Sequence, residues 1–125
     1  MNATYPDFVL TPAEELIERQ YANRPHLRRI YELVIEAAQQ CGDIVIQARK
    51  TYVSLVTPRR TFARVHTTTR WRVDVALRLE GVRAGGRLLP SRTYEGMPVQ
   101  LGLMSTTDVD DEMRRLLCRA YAENC

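Results

Sequence analysis

Hydrophobic positions along this chain switch period twice, from helical to alternating and back. Thr11-Pro12-Ala13-Glu14 reads as a helix start: Thr11 caps, Pro12 suits the first turn, and Glu14 can reach back to close a capping box. The spacing predicts a first helix to about Tyr21, with Leu16, Ile17 and Tyr21 on its apolar side. A second, longer helix is predicted from Pro25. Leu27, Ile30, Val34, Ala37, Ala38 and Cys41 recur on one face, and Gly42 follows as a stop.

The pattern then becomes strand-like. Short apolar or alternating runs occur at Ile44–Ile46, Tyr52–Val56, Phe62–His66 and Arg70–Leu79, with turns expected at Thr57–Arg60 and Thr67–Thr69. In the longest run Trp71, Val73, Val75, Leu77 and Leu79 alternate against Arg72, Asp74 and Arg78. Residues 80–98 hold six Gly or Pro and read as a long surface loop. Val99, Leu101 and Leu103 form a last strand. Ser105–Asp108 is expected to open the final helix, with Thr107 and Asp110 matching a cap pattern. Its stripe is Val109, Met113, Leu116, Leu117, Ala120 and Tyr121, and acids crowd its first turn, where the helix dipole favours them.

These elements predict an α+β fold. An antiparallel sheet of four to five strands is packed on one face by two to three helices, an N-terminal helical pair and a C-terminal helix. Residues 1–10 are expected to be a flexible arm and residues 11–125 a single domain, a size that sustains one core. The N-terminus has neither the basic start nor the apolar stretch of a signal peptide, and no run is long enough to span a bilayer. Cys41, Cys118 and Cys125 are odd in number and widely spaced, so the expectation is a reduced, cytoplasmic protein with no membrane partner. Cys118 reads as a packing residue. No metal, no cofactor and no catalytic residue is expected.

Charge changes the picture in one place. Arg49 to Arg92 carries eleven Arg or Lys against Asp74 and Glu80, a formal +9 in a chain whose total is +3. Arg outnumbers Lys 17 to 1. Uneven placement carries more information than that ratio, because the Arg bias also runs through the helices. Strand pairing must keep apolar side chains on one face, so paired residue numbers must have an even sum. That rule sets Tyr52 opposite His66, Ser54 opposite Arg64, and Arg64 opposite Arg72 or Arg70. Like charges facing each other are destabilising. Solvent, intramolecular acids such as Asp74, or a bound anion would each relieve the repulsion.

The candidate anion-binding residues are therefore Arg64, Arg70, Arg72, His66, Tyr52 and Ser54. Paired guanidinium groups suit phosphate or carboxylate, and nucleic acid is a candidate partner. Stacking support is thin, from Tyr52, Phe62 and Tyr94. The leading reading is a non-enzymatic binding module with an Arg-rich sheet face. One alternative is a small-metabolite binder or enzyme in which His66 acts as a base beside Tyr52, Ser54, Arg64 and Arg72. The other is a protein-interaction accessory domain. The glycines at 81, 85 and 86 lack the Lys-Ser/Thr pair and following helix of a phosphate loop.

Four segments together carry a family likeness: Lys50–Leu55, Phe62–Val65, Arg72–Leu79, and Asp108–Glu112 leading to Ala120-Tyr121. Over residues 14–122 the chain resembles an uncharacterised bacterial domain family, some members of which carry the label "predicted transport protein". Ala76 stands where that family commonly has Gly. The resemblance implies no activity, cofactor or catalytic residue, and the transport label finds no membrane segment here to support it.

Overall fold

A computed structural model describes residues 10–91 and 95–125. Residues 1–9 of the arm expected at 1–10, and Tyr94 in the loop, lie outside the described residues. The chain runs α1 (Pro12–Gln20), α2 (Pro25–Cys41), β1 (Val45–Ala48), β2 (Tyr52–Val56), β3 (Thr61–Thr69), β4 (Arg72–Leu77), β5 (Leu88–Pro90), β6 (Val99–Leu103), a 3-10 turn (Thr106–Asp108) and α3 (Asp111–Asn124). All neighbouring strands are antiparallel, in the order β1-β2-β3-β4-β6-β5. The fold is α+β with helices on one face of the sheet, as expected, and the described residues form six strands. The added strand, β5, lies inside the segment read as loop. It pairs Leu88 with Leu101 and Pro90 with Val99, and Pro is tolerated there because β5 is an edge strand.

The core lies between the helices and one sheet face. Val53, Leu55, Ala63, Val65, Val73, Val75, Leu77, Leu101 and Leu103 meet Leu27, Ile30, Val34 and Ala38 of α2 and Met113, Leu117 and Ala120 of α3. Each large aliphatic side chain buried there stabilises the fold by about 2 kcal/mol. Thr11 and Glu14 form the expected capping box on α1. At the other end of α2, the Tyr121 ring closes on Gly42: a β-carbon there would lie 2.5 Å from its hydroxyl oxygen. That hydroxyl donates to the Asp43 carbonyl at 2.9 Å.

Three local expectations are corrected. The last helix begins at Asp111, not in Ser105–Asp108. Ser105 and Asp108 close a box around the 3-10 turn, and Asp110 caps α3 through the Met113 amide at 3.0 Å. Cys118 is not a free packing thiol. It is joined to Cys41 in a disulfide that ties α3 to the end of α2 across 77 residues, while Cys125 is free and exposed. Closing so long a loop stabilises the fold by roughly 4 kcal/mol in the chain-entropy account. Finally, Trp71 is not in the core. It sits in the β3–β4 turn and is 64% exposed.

Candidate anion-binding site

The β2–β3 register is the one expected, with Tyr52 opposite His66 and Ser54 opposite Arg64. The β3–β4 register is not. Arg64 faces Ala76 and His66 faces Asp74, and Arg64 meets neither Arg72 nor Arg70. Even-sum pairing holds through that stretch. The error was in the turn: β3 runs on to Thr69, which lengthens the hairpin and moves the partners along by four residues. A bulge between His66 and Thr69 then shifts the phase by one, so Thr69 pairs with Arg72. Arg70 is left in the turn, exposed, beside Ala22, Asn23 and Arg24.

At the Arg72 end of the outer sheet face, positive charge is already answered. Arg72 pairs with Asp74, Nε to Oδ1 at 2.7 Å, with a second contact from Nη2 to Oδ2 at 3.3 Å. Its aliphatic stem lies over Gly102, where a β-carbon would be 2.8 Å from Cδ. Asp74 and Ala76 are wholly buried, and Ser54, His66 and Gln100 nearly so, although all lie on the face away from the helices. This half is therefore not an open solvated surface. Burial pushes the His66 pKa below its ordinary 6.5, with Asp74 pulling it up and Arg72 pushing it down. Arg64 donates to Ser54 Oγ over a long 3.4 Å and lies 5.3 Å from the Tyr52 ring centre, within cation–π range.

The other end of the same face is built differently. Thr57 organises the β2–β3 turn. Its hydroxyl accepts from the Arg59 and Arg60 amides at 3.0 and 3.1 Å and donates to the Asn124 carbonyl at 2.8 Å. Asn124, buried at the end of α3, donates to the Arg78 and Ala120 carbonyls and accepts from Arg60 Nε at 2.7 Å. Arg78, which follows β4, donates from Nε to the Thr61 carbonyl at 2.8 Å. Both guanidinium groups are thus anchored through Nε. Among the described residues no hydrogen bond or ion pair engages their terminal nitrogens. Burial, then Arg60, then Arg64 push the Arg78 pKa down, and Glu95 alone acts against them.

These two arginines and Glu80 border a cleft of about 440 Å³ whose wall continues through Leu79, Ser91, Gly96, Met97 and Pro98. A second space of the same volume adjoins it along Arg59, Glu123 and Asn124. Gly96 has φ +78°, and a β-carbon there would lie 2.5 Å from Arg78 Nη1, so the loop backbone itself backs the guanidinium. The hydroxyl of Ser91, a residue 8% exposed, is buried and has no hydrogen-bond partner among the described residues.

Of the expected site residues, the structure groups Tyr52, Ser54, Arg64, His66 and Arg72 on one face and leaves out Arg70. Arg60, Arg78, Ser91 and Asn124 were missed. Arg78 was findable, since it shares strand parity with Arg72 and Asp74. Asn124 continues the spacing of Leu117 and Ala120, and a polar residue in an apolar stripe is a signal in itself. Among the described residues no cluster of three metal-ligating side chains occurs and no helix is long and apolar enough to cross a membrane. No family model, no curated protein and no solved structure matches the chain.

Proposed function

We propose that the protein is a binding module, not an enzyme, that takes an anionic partner at the end of the outer sheet face where Arg60 and Arg78 meet. One observation carries this reading: Arg60 and Arg78 are fixed in place through Nε, while among the described residues nothing engages their terminal nitrogens. A guanidinium held this way has already lost much of its side-chain freedom, so less ordering is required when an anion arrives. The pairing of Arg64 with Arg72 is not part of the reading, because Asp74 neutralises Arg72. A cytoplasmic setting goes with the proposal only if the Cys41–Cys118 bond forms there, against the reducing poise that keeps most cytosolic thiols apart.

The test is fluorescence anisotropy with a labelled single-stranded oligonucleotide over a range of salt. The two phosphate contacts of Arg60 and Arg78 predict a slope of log K against log salt of about −1.4. The combined Arg60→Gln and Arg78→Gln variant should flatten that slope. Arg70→Gln with Arg83→Gln, which removes charge from exposed positions elsewhere, should reduce it far less. A flat salt response in the unaltered protein would sink the reading.

A further inference from the structure

We propose that the cleft between Arg60, Arg78 and Ser91 is a site for a phosphate monoester, bound through its terminal phosphate. This deepens the anion-binding reading and rests on it. The donors set the ligand class. Two guanidinium groups present uncommitted terminal nitrogens at one cleft, and each can hold a phosphate through two parallel hydrogen bonds. The Ser91 hydroxyl adds a buried, unpartnered group in the same wall. A buried hydroxyl with no partner is rare and costly; its oxygen is sealed from solvent, so it would meet a ligand oxygen by turning about its Cα–Cβ bond into the cleft. A phosphate monoester offers three terminal oxygens to these donors, where a carboxylate offers two.

The rest of the cleft suits the ester's body. Leu79, Met97 and Pro98 supply an apolar wall, and the volume falls in the usual range for small-ligand sites. Glu80 at the rim would repel a second anion but accept a hydrogen bond from a ligand hydroxyl. A phosphate with a hydroxyl-bearing body therefore fits better than a polyanion lying flat. The lowered Arg78 pKa follows first from burial and then from the nearby Arg60 and Arg64 charges, which Glu95 only partly offsets.

Calorimetric titration with inorganic phosphate, glucose 6-phosphate, glucose, and an oligonucleotide with and without a 5′-phosphate tests the assignment. Both phosphates should bind and glucose should not. A stronger response to glucose 6-phosphate would indicate a small metabolite as the source. A large gain from the 5′-phosphate would indicate a nucleic-acid end. Arg78→Gln should abolish phosphate binding. Ser91→Ala is the sharper variant: it should weaken phosphate binding about five- to tenfold while the melting temperature holds or rises, because the unpartnered hydroxyl is gone. Gly96→Ala, which pushes on Arg78, should also weaken it. Equal phosphate affinity in Ser91→Ala, Gly96→Ala and the unaltered protein overturns the proposal, as does the absence of phosphate binding. If salt-dependent oligonucleotide binding then persists, the broader reading survives; if it is lost as well, both fall.

Discussion

The two ends of the outer sheet face begin from the same ingredient and finish in opposite states. At one end Arg72 lies against Asp74, the surrounding polar side chains are buried, and the charge is answered from within. At the other, Arg60 and Arg78 are held by a turn, a carbonyl and the buried Asn124, and no described carboxylate pairs with them. Clustering of arginines along the chain is the same in both cases. What separates them is the local backbone: within β4 Asp74 is held against Arg72, whereas past the end of β4 Glu80 makes no ion pair with Arg78, whose Nε goes to the Thr61 carbonyl and whose guanidinium lies against Gly96.

Breaking the closed end should have the largest effect. Asp74→Ala leaves Arg72 with its charge partly buried and its main partner missing, a loss of about 3 kcal/mol. Urea unfolding of the variant measures it, and a change below about 1 kcal/mol would mean that Arg72 finds water instead and that the two ends differ less than their geometry indicates. Asn124→Ala attacks the open end next. It removes two donors and the acceptor that fixes Arg60, with an expected loss of about 2 kcal/mol. It should also weaken phosphate binding through Arg60 alone, leaving the Arg72–Asp74 pair intact. If stability falls and binding does not, Asn124 supports the fold without positioning the cleft.

Much of this was legible in the chain, but unevenly. The helices were readable because their caps and stripes are local: Thr11 with Glu14, Pro25, and the run from Leu27 to Cys41. The β2–β3 register was readable because Pro58 pins the turn. The β3–β4 register was not, since parity rejects a slip of one residue but is blind to a slip of two or four. Val65 opposite Val75 satisfies the rule as well as Val65 opposite Trp71 would. The bulge added the second failure: Trp71 falls in the turn before β4 begins, although the alternation along the chain includes it. Strand β5 was hidden because three residues are too few to show a period. The Cys41–Cys118 bond depends on two helices meeting, which no spacing along the chain reports.

The smallest effect is a pH dependence confined to the closed end. His66 is buried opposite Asp74, near Arg72, with Tyr52 as its partner on the other side. Burial favours the neutral ring, so its folded pKa lies below the ordinary 6.5, with Asp74 only partly offsetting the shift. The unfolded chain then binds the proton more readily than the folded one just below that value. Stability should therefore be fully present above about pH 6.5 and decline as pH falls through the window beneath it. Replacing His66 with Gln removes the titrating group, so unfolding midpoints in urea should lose that portion of the slope below about pH 6.5. Phosphate affinity at the Arg60–Arg78 cleft, compared at a fixed charge state of the ligand, should not follow the same profile. If it does, His66 and the cleft are one coupled unit, and the division of this face into a closed and an open end is wrong.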